Sequence, residues 1–245
     1  MSITLLHLSD PHLTEDLVSV QRLHAVLDLP PARRPDAIIA TGDIADHGRA
    51  QEYEAFAKAM AAQSPWLAVP GNHDDPETLR AVLHQEPCPV LDSGAVRVIG
   101  LDVTVPGENH GFLREDTAQA AAARAEGARH VVLALHQPPI STGHAVIDGM
   151  LLTNPDALAD LVGRIRRVVA ILCGHIHTPL ASSLAGTPVL CAPGVASALA
   201  LDPDRRPITT SDSAPGMALH RIDGDGAVTT TFHYGTEAAL RPRSA

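Results

Sequence analysis

Short, unbroken apolar runs alternate along this chain with longer amphipathic stretches, the pattern of buried strands with helices packed against them. The runs are 3–8, 37–40, 66–69, 96–101, 131–135, 168–172 and 189–192, each of strand length. Between them, 18–29, 50–63, 76–84, 115–126 and 155–167 read as helices, several with Asp, Asn or Pro near the start. Gly127 is placed to stop one of them. After Gly186 the chain turns to strands and turns, and 217–222 and 227–234, joined by Asp223-Gly224-Asp225-Gly226, predict a hairpin that closes a sheet. The class is α/β or α+β. The stretch 203–216, rich in Pro, Ser, Thr and Asp, predicts a loop, and 236–245 a frayed tail. No internal repeat and no dividing linker is visible, so residues 1–235 are expected to form a single domain.

Composition sharpens this. The chain has 245 residues, 45% of them hydrophobic, with mean hydropathy +0.06, which is ample for a packed core and excludes disorder as a description of the whole. Only 2% are aromatic, so the core must be aliphatic. A formal net charge of −10 argues against a surface that neutralises nucleic-acid phosphates or anionic lipid. The three cysteines, Cys88, Cys173 and Cys191, are odd in number and lack paired metal-type spacing, so reduced thiols are expected. The start lacks the features of a signal peptide, and no run of about 18 apolar residues could span a bilayer. A cytoplasmic protein is the expectation. The 14 histidines are high for this length, and they carry the chemistry.

Five of the apolar runs end in a metal-competent side chain. The first leads to Asp10-Pro11-His12, the second to Gly42-Asp43, and the third to Gly71-Asn72-His73-Asp74. The run at 131–135 leads to His136, and that at 168–172 to Gly174-His175-Ile176-His177. Singly these are bland, since Gly-Asp is a common turn and a lone histidine after a strand is usually an edge residue. Five in order, each behind a buried run, are not. Carboxyl ends of parallel strands share one edge, where scattered residues converge. Asp10 and His12, like His175 and His177, are two apart, which in extended chain places both on one side. Gly42, Gly71 and Gly174 stand where a positive φ or a close backbone approach is expected. Two carboxylates, an amide oxygen and four imidazoles suit first-row divalent metals, and are too many donors for one tetrahedral ion.

These motifs resemble the full set of the calcineurin-like metallophosphoesterase superfamily, over residues 3 to about 235. The looser phrases Gly42-Asp43-Ile44-Ala45-Asp46-His47-Gly48, Val105-Pro106-Gly107 with His110-Gly111, and 215–220 are similar to the class III cyclic nucleotide phosphodiesterases. The resemblance implies a four-layer αββα sandwich of two mixed sheets flanked by helices. It implies that Asp10, His12 and His177 hold one metal ion and Asn72, His136 and His175 a second, with Asp43 bridging. The ions would be Mn, Fe or Zn. His73 would act on substrate as a catalytic residue, with Asp46 orienting it. Asn72, His73 and His110 are the candidate substrate-binding residues. His144 is expected at the solvent-exposed surface, and the remaining histidines as structural or surface residues.

Departures from the family narrow the chemistry. Protein serine/threonine phosphatases carry an arginine where this chain has His47, so a bidentate clamp for dianionic monoesters is lost. Purple acid phosphatases place a tyrosine where this chain has Asp46. A His-His-Pro-Pro stretch common in the family is here His136-Gln137-Pro138-Pro139. No nucleophile elbow or Walker-type loop is present, so direct attack by a metal-bridging hydroxide is expected, without a covalent intermediate. The leading expectation is hydrolysis of small phosphodiesters such as cyclic nucleotides. A phosphomonoesterase acting on nucleotides or another phosphorylated metabolite, and a non-catalytic scaffold, stay open. The partner is a small phosphate ester rather than a nucleic-acid polymer or a membrane, and the resemblance allows a homodimer.

Overall fold

Alternation within each apolar run decides which layer a side chain enters. In the computed structural model, which describes residues 2–63, 65–202, 208–210 and 212–235, two sheets lie face to face. The first has the order β13-β12-β1-β2-β3, with β1 (Ile3–Leu8), β2 (Ala37–Thr41) and β3 (Trp66–Val69) parallel, and β12 (Gly216–Ile222) and β13 (Val228–Tyr234) antiparallel beside them. The second has the order β4-β5-β6-β7-β9-β8. Its parallel centre is β5 (Val96–Gly100), β6 (His130–Ala134), β7 (Val168–Cys173) and β9 (Thr187–Cys191), and β4 (Val90–Ser93) and β8 (Leu180–Leu184) are antiparallel edges. A two-stranded ribbon joins β10 (Ala198–Ala200) to β11 (Ile208–Thr210).

Leu5, Ile39, Leu67 and Val69 of the first sheet meet Val98, Val132, Ala134 and Leu172 of the second in one aliphatic core. Their neighbours Leu6, Leu8, Ile38 and Ala40 point the other way, onto α1 (Leu17–Leu27), α2 (Ala50–Met60) and α3 (Pro76–Leu83). On the far side Ile99, Val131, Leu133 and Ile171 pack on α4 (Glu115–Arg124), α5 (Ala145–Asp148) and α6 (Pro155–Arg164). Strands covered on both faces need apolar residues at every position, which is why they read as unbroken runs. The four-layer expectation holds. The main aromatic contribution to the interior is Tyr53 and Phe56 on α2.

The helices stop short of the expected ends, α4 at Arg124 and α6 at Arg164. Gly127, at φ +76°, turns the chain after α4. The predicted loop at 203–216 contains β11, and part of it, like the tail at 236–245, lies outside the described residues. His144 is a correction. It is buried, and its Nδ1 accepts from the Ile147 N–H as the cap of α5. All three cysteines are free and buried.

Candidate metal centre

The carboxyl ends of β1, β2 and β3 meet those of β6 and β7 along one rim, and the turns leaving them are laced together by backbone hydrogen bonds. Asp10 N donates to Gly42 O, His12 N to Asp43 O, and Gly174 N to His136 O. On this rim all seven expected ligands converge. Asp43 is central: its Oδ2 lies 3.3 Å from His136 Nε2 and 3.4 Å from His12 Nε2. Asp10 Oδ1 lies 3.3 Å from His177 Nε2, and Asn72 Oδ1 3.2 Å from His136 Nε2.

The two-residue pairs converge by a route other than extended chain. Asp10, His12, Asp43, His175 and His177 take positive φ values of 54°, 42°, 48°, 71° and 49°. These five of the seven are thus presented from left-handed kinks, a conformation that L-residues adopt at a cost and that concentrates at functional sites. Gly42, at φ +87°, has the expected turn, and a Cβ there would lie 2.5 Å from His136 Nδ1. At Gly71 and Gly174 the requirement is close approach: a Cβ would overlap Asp43 Oδ1 at the first and Ser9 Oγ at the second.

Charge explains why these donors tolerate one another. Burial disfavours ionising Asp43, but the imidazoles of His136 and His12 beside it hold its carboxyl well below the usual range. His136 is itself opposed by burial, yet the Asp43 carboxylate raises it to about 9. His175 is lowered to about 4 by burial and by His136, and burial lowers His177 as well. His12 is raised, the hydrogen bond to Asp46 outweighing its burial together with the nearby carboxylates.

The residues fit a pair of cations. Donor atoms of Asp10, His12, Asp43 and His177 form one group whose members all lie within 4.8 Å of one another, and those of Asp43, His136 and His175 form a second. Asp43 belongs to both, as a bridging carboxylate must. The outer nitrogens are also committed as in metal sites: His136 Nδ1 donates to Thr41 O at 2.6 Å, His12 Nδ1 to Asp46 Oδ1 at 2.9 Å, and His177 Nδ1 pairs with Ser197 Oγ at 2.7 Å.

His73 Nδ1 donates to the backbone carbonyl of Asp46 at 3.1 Å, and its ring lines a cavity of about 260 Å³ together with Asp43, Asn72 and His175. Asp46 therefore holds His12 through its carboxylate and His73 through its main chain, with its carboxylate Oδ1 also 3.5 Å from His73 Nδ1. His110 lines a separate depression with Pro106 and Phe112, while its neighbour Asn109 lines the metal cavity. Gln137 Nε2 holds the Asn109 carbonyl at 3.2 Å. Ile147 and Met150, from the 141–150 loop that sequence reasoning ties to substrate choice, form the far wall with Leu199, which sequence reasoning missed. That reasoning also gave no role to Asp74, a buried carboxylate that accepts from the N–H groups of Ile44, Ala45 and Gly71 and clamps two ligand turns together. Burial and the nearby Asp43 charge raise Asp74 to about 6.

A family model described as calcineurin-like phosphoesterase matches residues 3–179. A 3′,5′-cyclic adenosine monophosphate phosphodiesterase of Pseudomonas aeruginosa is 30% identical over 245 residues, covering 94% of this chain and 89% of its own. A probable glycerophosphodiester phosphodiesterase of Arcobacter nitrofigilis is 31% identical over 156 residues, 59% of this chain and 57% of that protein. A dimetal phosphatase from Danio rerio superposes with TM-score 0.58 at 14% identity, covering 96% of this chain and 99% of that one.

Proposed function

The chain belongs to the calcineurin-like phosphoesterase family, and from that premise we propose that it hydrolyses small phosphodiesters of the cyclic-nucleotide kind. The observation that carries this reading is the cavity beside Asp43, whose described lining joins metal-competent donors to an apolar wall and contains no arginine or lysine.

When bound, a pair of cations held by Asp10, His12 and His177 and by Asn72, His136 and His175, with Asp43 between, supplies Lewis acidity and positive charge for the phosphoryl oxygens. The protein's own groups do the rest. The Nδ1–H of His73 is committed to a carbonyl, which leaves Nε2 to face the substrate, and as an acid it donates to the leaving oxygen. Asn72 turns its amide toward the same space. The described lining offers no serine or cysteine nucleophile, which favours direct attack by water.

Two features favour a diester over a monoester. A dianionic monoester is best gripped by a permanent bidentate cation, and none lines the cavity. His47 stands where related phosphatases have arginine, but its Nδ1 is tied to the buried Glu52 at 2.9 Å. The wall of Ile147, Met150 and Leu199 suits a flat, weakly polar group such as a nucleobase better than a polyol.

The test is a comparison of catalytic efficiencies in Mn²⁺ for 3′,5′-cyclic AMP, a glycerophosphodiester, bis-p-nitrophenyl phosphate and p-nitrophenyl phosphate. The expected order puts the cyclic nucleotide and the nitrophenyl diester more than about tenfold above the monoester, since 1.4 kcal/mol of transition-state discrimination is tenfold. A preference for the monoester overturns the reading.

A further inference from the structure

Behind the metal centre, on the side away from the cavity, two histidines lie buried where the sheet would otherwise be apolar. His7 on β1 and His220 on β12 have relative exposures of 0% and 1%. His7 Nδ1 lies 3.1 Å from His220 Nε2, and His7 Nε2 lies 2.8 Å from Thr41 Oγ1. Thr41 is the residue whose carbonyl holds His136 Nδ1. We infer that His7, Thr41 and His220 are positioning residues of the metal centre, joined in one directed chain of hydrogen bonds that ends on the Thr41 carbonyl, the acceptor that also holds His136.

The direction follows from counting protons, because a hydroxyl has one to give and a neutral imidazole has one N–H. Ser9 Oγ gives its proton to the Thr41 carbonyl at 3.2 Å, so it accepts from Thr41 Oγ1 at 2.9 Å. With its proton used, Thr41 Oγ1 accepts from His7, which is therefore the Nε2–H tautomer. His7 Nδ1 then carries a lone pair and accepts from His220 Nε2–H. That leaves His220 Nδ1 to accept from the hydroxyl of Thr230 on β13, at 2.8 Å. Every step is fixed by the one before it. Burial keeps both rings neutral, lowering His220 to about 3 and His7 well below its ordinary value.

The chain meets the metal centre at the Thr41 peptide. Its carbonyl takes the Nδ1–H of His136, which turns the other nitrogen, Nε2, toward Asp43 and Asn72. The same peptide leads directly into Gly42 and Asp43, so fixing Thr41 by its side chain fixes the bridging carboxylate as well. Partners behind a ligand that set its tautomer and direction change metal affinity by about 10–100-fold. A pair of aliphatic side chains would fill this space without the cost of burying four polar ring atoms. His220 and Thr230 lie beyond the residues matched by the family model, so the C-terminal hairpin takes part in a centre whose ligands lie outside it.

This inference rests on the metal-centre reading, and the experiment separates the two. Nitrogen-15 NMR of the histidine rings in the metal-free full chain reports the tautomers directly, and Nε2–H on both His7 and His220 is expected. Calorimetric titration with Mn²⁺ alone is then compared among the parent, Thr41→Val and Thr230→Val, with thermal melting as the check on folding. Roughly tenfold weaker binding is expected for Thr41→Val, and a smaller loss for Thr230→Val. A Nδ1–H tautomer at His7, or parental Mn²⁺ affinity in both folded variants, overturns the inference while leaving the metal centre in place. A parent chain that binds no Mn²⁺ overturns both. If Thr41→Val does not fold, Thr230→Val and the tautomers decide.

Discussion

The Nδ1–H of His12 donates to the Asp46 carboxylate at 2.9 Å, and the ring thereby turns Nε2 toward Asp43. A carboxylate behind an imidazole orients it and raises its basicity toward a metal. Asp46→Ala is expected to weaken Mn²⁺ binding about tenfold, measured by calorimetry, and to lower turnover in step. Unchanged affinity would show that His12 is held well enough by its other neighbours.

His73 calls for the opposite signature. It shares no group of donors with Asp43, though it forms a third, more exposed one with His12 and Asp46, so His73→Ala should keep the metal held around Asp43 while kcat falls about 10²–10⁴-fold, the usual contribution of a positioned acid or base. Metal analysis beside steady-state kinetics distinguishes this from loss of a ligand. Asp43→Asn, in contrast, should lose both, with activity down by more than about 100-fold, beyond the effect of removing a partner behind a ligand.

The glycines give a paired test. A Cβ at Gly174 would overlap Ser9 Oγ and lie 2.7 Å from Thr41 O, so Gly174→Ala is expected to cost about 1–3 kcal/mol in urea unfolding and to disturb metal binding. Gly163, exposed near the end of α6, has no atom within 4 Å of an added Cβ. Gly163→Ala should therefore raise stability by about 0.5–1 kcal/mol and leave activity unchanged.

The His7–His220 pair predicts how stability follows pH. Both rings are neutral in the folded state and carry lowered pKa values, whereas in the unfolded chain they take up protons near 6.5. The unfolded state then binds more protons below that value. Stability from the pair is complete above about pH 6.5 and is lost as pH falls toward 3, by up to about 1.4 kcal/mol per pH unit for each ring. Urea midpoints between pH 7.5 and 5 should fall for the parent and fall less for His220→Phe, if that variant folds; with His220→Gln as the milder form, a slope equal to the parent's would remove the pair from the account.

Much of this was legible in the chain because both sheets are covered on both faces, which writes β1, β2, β3, β6 and β7 as unbroken apolar runs. The ligands were legible because each directly follows such a run. Where a side chain's role depends on partners distant in sequence, the pattern is silent. β8, Leu-Ala-Ser-Ser-Leu, is a half-exposed edge, and α5 is a single turn, so neither has a periodicity to read. His144 looks like any loop histidine until the Ile147 N–H is found beside it. Asp74 shows the same limit, since its acceptors are filled by backbone N–H groups that carry no sequence signature. The extended-chain argument for Asp10 with His12 and His175 with His177 expected side chains that do converge on one rim, but through left-handed rather than extended backbone.

The left-handed backbone at Asp10, His12, Asp43, His175 and His177 has a bearing on descent as well as on chemistry. These are positions at which glycine relaxes the main chain while abolishing a donor, so mutation there is expected to remove activity without toppling the scaffold. Catalytically silent descendants with an intact architecture thus lie one or two substitutions away.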